Sequence, residues 1–214
     1  MRGVTRRTFL AGGAAALMTL AAGCSGGQDE PRADAHGSAA TGSSQMDEAG
    51  GAVREASDAS TLVVYFSATG NTAGIAQAVA GQLGADTFAI EASVPYTDDD
   101  LNYNDDSSRT SQERADARPE LVQVTPDGWD GYDTVLVGYP IWWGEAAWPL
   151  RTFAEGNSFD GKTVVPFCTS ASSGIGRSGE LLAGLAGDGE WQEGERFSAG
   201  ASEEAASWAA GLGL

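Results

Sequence analysis

The chain has 214 residues and carries 30 acidic against 12 basic side chains, a net charge of −18. A surface this negative repels phosphate backbones and excludes nucleic acid as an expected partner. With 42% hydrophobic and 8% aromatic residues it can build one core of ordinary domain size, and no apolar run reaches the ~18 residues of a membrane-spanning helix.

The first 23 residues read as an address. Arg2, Arg6 and Arg7 precede a stretch of small apolar residues that ends at Ala21-Ala22-Gly23-Cys24, the layout of a secretory signal. "TRRTFL" resembles a twin-arginine export signal, and "AAGC" resembles a bacterial lipobox with Cys24 as the lipidated new N-terminus. Cleavage there removes three arginines and no acid, which moves the net charge from −18 to −21. The twin-arginine resemblance implies export of a folded protein, often with its cofactor already seated. With Cys24 lipidated, Cys168 has no partner in the chain, so no internal disulfide is expected. Zinc-type Cys/His spacings are absent.

Residues 24–60 follow, rich in Gly, Ser, Ala and Asp and free of aromatic residues. They are expected to form a disordered tether with an end-to-end distance of roughly 30–35 Å. The only histidine, His36, lies within it, which disfavours His-dependent triads and metal sites.

From residue 61 the texture changes to that of a folded domain, 61–214. "TLVVYF" (61–66) predicts a buried strand. A helix over 72–83 follows, with Ile75, Ala76, Val79 and Leu83 on one face. "DTFAIE" (86–91) is a second strand. Residues 95–128 are irregular and polar, with one short helix near 108–116. "DTVLVGY" (133–139) is a third strand, and Pro149 suits the first turn of the helix after it, with Leu150 and Phe153 inward. "KTVVPF" (162–167) is a fourth strand. Ser178 is placed to cap a helix carrying Leu181, Leu182 and Leu185. A fifth strand is expected at 194–199, although "GERFSA" signals it poorly. The last helix begins near Glu203 and Glu204 and carries Trp208 and Leu212. Strands apolar throughout, alternating with helices, imply a parallel sheet covered on both faces, with ligands at the carboxyl ends of its strands.

Three loops fall at that edge. "SATGNT", Ser67, Ala68, Thr69, Gly70, Asn71 and Thr72, lacks the lysine and glycine pattern of a nucleoside triphosphate loop and the G-x-G-x-x-G dinucleotide pattern. Its amides, hydroxyls and helix end could cradle a phosphate monoester; its composition equally suits an ordinary strand-to-helix turn, and its own residues leave both open. The second loop holds Pro140, Ile141, Trp142, Trp143 and Gly144. Indole faces stack on flat aromatic ligands, and one of the paired rings is expected at a ligand with the other packed inward, while Trp148 fills core. The third loop, 168–178, includes Thr169, Ser170, Ala171, Ser172, Ser173 and Gly174, small enough for backbone to approach a planar heterocycle. Cys168 at its start is read as a buried structural thiol rather than a redox thiol.

"YFSATGNT", "YDTVLVGYPIWWG" and "GKTVVPFCTSASSGIGRS", in that order after three predicted strands, resemble the flavodoxin family, in a bacterial subgroup with the double tryptophan. The polar segment "PYTDDDLNYNDDSSRTSQERADARPEL" resembles that subgroup's insert. The resemblance covers residues 61–214. It implies an α/β three-layer sandwich on a five-stranded parallel sheet of order 2-1-3-4-5, and bound FMN. It also implies roles: residues 67–72 for the phosphate, and 140–144 with 169–174 for the isoalloxazine ring.

In the insert, Asp98, Asp100 and Asn102 start like a calcium loop, but Tyr103 and Arg109 stand where such a loop needs Gly and Glu. Tyr96 and Tyr103 are placed near the flavin instead, and Arg109, Arg114 and Arg118 are expected to pair with acids. The favoured function is an FMN electron carrier, lipid-anchored on the outer face of the cytoplasmic membrane and serving redox partner proteins. An FMN-dependent quinone or NAD(P)H oxidoreductase is the alternative, and a lipoprotein that lost its flavin is a third.

Overall fold

The computed structural model describes residues 60–214. The export signal, the lipidated Cys24 and the tether expected upstream lie outside the described residues.

Four strands make the centre of the sheet: β1 (Thr61–Phe66), β2 (Asp86–Ile90), β3 (Thr134–Trp142) and β5 (Thr163–Thr169). All pair in parallel, in the spatial order β2-β1-β3-β5. The edge beyond β5 is made by two short strands, β6 (Glu190–Trp191) and β7 (Glu195–Phe197), so the core order is the predicted one. Helices α1 (Asn71–Leu83) and α5 (Ser202–Gly211) pack together on one face. Helices α3 (Pro149–Gly156) and α4 (Ser178–Ala186) pack together on the other.

The period-two geometry of a strand explains why each strand is apolar throughout. Along β1, Leu62, Val64 and Phe66 join a core with Val135, Val137, Leu150 and Phe153. The intervening Val63 joins the opposite core with Ile75, Val79, Leu136, Phe167 and Phe197. Pro149 opens α3, as its fixed φ favours, and Glu203 and Glu204 sit in the first turn of α5, where the helix dipole favours acids.

The weak fifth strand has a physical cause. Between β6 and β7 the register on β5 steps by one residue, from Thr163↔Glu190 to Phe167↔Glu195. The step lies opposite Pro166, which has no N–H to give the ladder, and three residues of the edge oppose two of β5, the arrangement of a bulge. Gly194 closes it. A Cβ there would collide with the Pro166 carbonyl and Ile175.

Two local expectations are corrected. Ser178 is the first residue of α4 rather than its cap; its Oγ donates to Ile175 O at 2.6 Å and lies 3.0 Å from Tyr139 Oη. Leu182 is buried, but Leu181 is exposed. The other correction lengthens strands: β3 runs through Pro140, Ile141 and Trp142, and β5 through Cys168 and Thr169, so these belong to the sheet rather than to loops.

Candidate functional site

Beyond the sheet edge, β3 folds back on β4 (Glu145–Ala146), pairing Ile141↔Ala146 and Trp142↔Glu145. The two residues between them, Trp143 and Gly144, have φ of 49° and 84°, the signature of a tight primed hairpin turn. Trp143 is the one described non-glycine residue with positive φ. A bulky side chain adopts that conformation only when its surroundings hold it there. Here the indole stacks on Trp148 with centroids 5.8 Å apart and planes at 19°. Behind the turn, Arg151 Nη2 donates to Glu145 Oε2 at 2.9 Å, and its guanidinium lies 4.2 Å over Trp148. Trp148 itself is fully buried and donates Nε1–H to Thr110 O at 2.9 Å.

This hairpin walls a cavity of about 390 Å³. Pro140, Ile141, Trp142 and Trp143 line one side, Ala68 and Thr69 of the first loop another, and Leu101, Tyr103 and Thr110 of the insert complete it. Both paired tryptophans thus face the cavity. Trp142 is also pinned edge-on by Phe66, Tyr96 and Trp148, at centroid distances of 5.7, 5.1 and 5.6 Å. Tyr103 is largely exposed, a ring able to lie over whatever fills the cavity.

The first loop joins β1 to α1. Gly70 caps the helix in the left-handed region at φ 85°, no acid lies in the first helical turn, and no side chain bonds the leading amides. The leading N–H groups of a helix have no partner within it, so this end presents donors and positive potential to an anion. Asn71 Nδ2 donates to Thr69 Oγ1 at 3.1 Å. Ser67 Oγ is buried and has no hydrogen-bond partner among the described residues; the residue lines a second cavity of about 260 Å³ that adjoins the first at Ala68. An uncapped helix end preceded by the hydroxyl of Thr69 fits a phosphate monoester, and the flat indole walls fit an aromatic heterocycle.

Thr72 and Thr169 are buried and share a hydrogen bond of 2.8 Å between their hydroxyls. One O–H is spent on it and the other remains free to donate, and the bond ties the helix of the first loop to the base of the third. Of the third loop, Ser170 is held by Arg196, whose Nη2 donates to Ser170 O at 2.6 Å and whose Nε donates to its Oγ at 3.1 Å. Ser170 Oγ also donates to Ser173 O. Ala171, Ser172, Ser173 and Gly174 are exposed at the same sheet edge, and none of residues 169–174 lines the cavity.

The insert contributes more than its composition suggests. Ser108 caps α2 (Arg109–Glu113), accepting from Ser111 N. Arg109 pairs with Glu113 at 2.7 Å, and Arg118 with Glu155 at 2.7 Å. Arg114 departs from expectation: its guanidinium lies 5.8 Å over Trp143, and it makes no ion pair among the described residues. Leu101 and Thr110 were not singled out from sequence, because a polar, aperiodic segment gives no signal for which of its residues turn inward.

Cys168 is fully buried in β5, and burial pushes its thiol up to about 12. It is therefore protonated and shielded near neutral pH. In the full chain carrying Cys24→Ser, a thiol reagent is expected to leave Cys168 unmodified in the native state and to label it fully in denaturant. Rapid native labelling would show a reactive thiol instead.

Several known proteins share this fold. The chain is similar to the structure of an inferred flavoprotein from Bacteroides eggerthii DSM 20697, with 38% identity over 72% of this chain and 98% of that one, at a TM-score of 0.64. An inferred flavoprotein from Bacteroides uniformis ATCC 8492 matches with 38% identity over 70% and 97%, at 0.66. A flavoprotein from Lactobacillus acidophilus NCFM, solved in complex with FMN, shares the fold at 22% identity over 64% and 91%, with a TM-score of 0.51. Among curated proteins no significant match is found. The flavodoxin family profile matches residues 60–211, all but a few of the described residues, and the chain belongs to the flavodoxin family.

Proposed function

We propose that the domain binds FMN at this edge of the sheet and acts as an electron carrier, tethered by a lipidated Cys24 outside the cytoplasmic membrane after twin-arginine export. The observation that carries the reading is the meeting of two surfaces at one cavity: Ala68 and Thr69, which lead directly into the uncapped end of α1, and the indole wall of Trp142 and Trp143. The Lactobacillus relative's FMN complex and the family membership support the cofactor. When bound, FMN supplies one- and two-electron redox chemistry.

The chain's residues divide the remaining tasks. Amides of the first helical turn and the hydroxyls of Ser67, Thr69 and Thr72 would hold the phosphate. Trp142, Trp143 and Tyr103 would sandwich and orient the ring and keep water from its faces. Among the described residues no cationic side chain lines the cavity, and the Arg114 guanidinium lies 5.8 Å over the Trp143 ring on its wall, so charge added to the flavin ring would meet no direct counter-ion and the apolar walls would hold the potential low. That suits a low-potential carrier.

An FMN-dependent quinone or NAD(P)H oxidoreductase is separated from the carrier by turnover. The FMN-loaded carrier is expected to show essentially no oxidation of NADH with a soluble quinone unless a partner reductase is added. Steady turnover without one would establish the enzyme.

The first loop gives a further expectation. Thr69→Lys adds positive charge near an anion but removes the hydroxyl that accepts from Asn71 and puts a four-carbon stem at the cavity wall. It is expected to weaken FMN binding about tenfold, because recognition here rests on geometry. Unchanged or tighter affinity in a fluorescence titration would contradict this.

A further inference from the structure

Next to the cavity stands a row of groups that ring binding does not require. Trp142, on the wall, meets Tyr96 at 5.1 Å between centroids with planes at 73°. Tyr96 Oη donates to Glu113 Oε2 at 2.5 Å. Arg109 Nε donates to the other Glu113 oxygen at 2.7 Å, its Nη1 donates to Val94 O at 2.8 Å, and its guanidinium lies 4.0 Å over the Tyr96 ring. An oxidisable indole, an oxidisable phenol and a base therefore lead away from the site in sequence.

Indole and phenol differ in how they carry an electron hole. An indole radical cation keeps its proton for some time. A phenol radical cation is a strong acid, so tyrosine gives up an electron readily only where a base accepts the proton. Tyr96 has that base at hydrogen-bond distance. The other ring against Trp142 that could accept a hole, Trp148, does not: its Nε1–H donates to a neutral backbone carbonyl. The Arg151 cation over Trp148 further opposes positive charge on that ring. Arg109 opposes positive charge on Tyr96 in the same way, which favours loss of the proton together with the electron and leaves the ring neutral.

We propose that Tyr96 and Glu113 form a proton-coupled radical sink for Trp142. The proposal rests on the flavin reading only for the natural oxidant, which belongs to the class of light-excited oxidised heterocycles. Trp142 gives one electron to a one-electron oxidant seated in the cavity and becomes the indole radical cation. Tyr96 then gives one electron to Trp142 while its Oη proton passes to Glu113 Oε2. The O–H bond of Tyr96 breaks and an O–H bond on Glu113 forms. The products are a neutral indole, a neutral tyrosyl radical and a neutral carboxylic acid, and the positive charge left behind resides on Arg109, whose carboxylate partner is now protonated. An oxidising equivalent is thereby drawn off the indole that walls the site, and one electron and the returning proton restore the resting state.

The test uses the full chain prepared without flavin, in a Tyr103→Phe background so that the exposed tyrosine is not oxidised directly. A photogenerated ruthenium(III) polypyridyl complex is the oxidant. Transient absorption and electron paramagnetic resonance then follow indole and tyrosyl radicals. The expected result is an indole radical that decays into a tyrosyl radical more slowly in D2O than in H2O. Tyr96→Phe is expected to abolish the tyrosyl signal and prolong the indole radical. Glu113→Gln, which can keep a hydrogen bond but cannot accept the proton as readily, is expected to slow tyrosyl formation at least about tenfold. An unchanged tyrosyl yield in Tyr96→Phe, or equal rates in H2O and D2O, overturns the proposal, and the isotope comparison needs no variant to fold. FMN uptake is measured separately, so failure of the flavin reading and failure of the radical sink give different results.

Discussion

Trp142→Ala is expected to weaken FMN binding by about 100-fold, close to the loss of one aromatic stacking partner for a flat heterocycle. The effect exceeds that of a wall residue with no other task. Trp142 also braces Phe66, Tyr96 and Trp148, so its removal lets the cavity wall relax and lowers stability by about 2 kcal/mol. Fluorescence titration gives the first effect and urea unfolding the second. Trp142→Phe restores a ring and is expected to recover most of the stability and part of the affinity. Affinity unchanged in Trp142→Ala would place the ring elsewhere.

Gly138→Ala is expected to destabilise the domain by about 3 kcal/mol or more, an overpacking effect with nowhere to relax. Gly138 lies directly across from Phe167 in the β3–β5 ladder, and an added Cβ would run into the Phe167 ring. That ring cannot swing aside, being fully buried and wedged against Phe197 at 6.5 Å and Trp208 at 6.1 Å. Such a loss lowers the melting temperature by roughly 10 °C. The cause is specific enough to be cancelled: Gly138→Ala with Phe167→Leu is expected to be more stable than Gly138→Ala alone. Additive losses in that double-mutant cycle would mean that the two residues do not clash.

Much of this fold could be read from the chain because each strand is buried on both faces. "TLVVYF" and "TVLVGY" are unbroken apolar runs for that reason, and the loops after them are where a ligand must sit in a parallel sheet. The features that are not legible in the chain depend on particular side-chain contacts rather than on any periodic pattern. The turn at Trp143-Gly144 has the glycine of a tight hairpin but a tryptophan where Asn or Asp marks one; Trp143, at positive φ, stacks on Trp148, five residues on. The split edge strand follows from Pro166, a residue of the neighbouring strand, so "GERFSA" by itself could not reveal it. Ser178 has the side chain of a helix cap, but it spends its hydroxyl on Ile175 and Tyr139. Leu101, Thr110 and the Tyr96–Glu113 pair come from an insert whose inward residues follow no period. The cavity was thus legible on the sides built by strand ends and hidden on the side built by the insert.

FMN uptake tests the central claim most directly. The purified full chain, freed of any flavin and titrated with FMN, is expected to bind one equivalent, with quenching of flavin and tryptophan fluorescence and an absorbance spectrum in the visible that persists through gel filtration. Riboflavin, which lacks the phosphate, is expected to bind at least about tenfold more weakly, since the amides and hydroxyls of the first loop would lose their anion. A colourless protein that takes up no FMN would contradict the account, and equal affinity for FMN and riboflavin would contradict the role given to Ser67–Thr72.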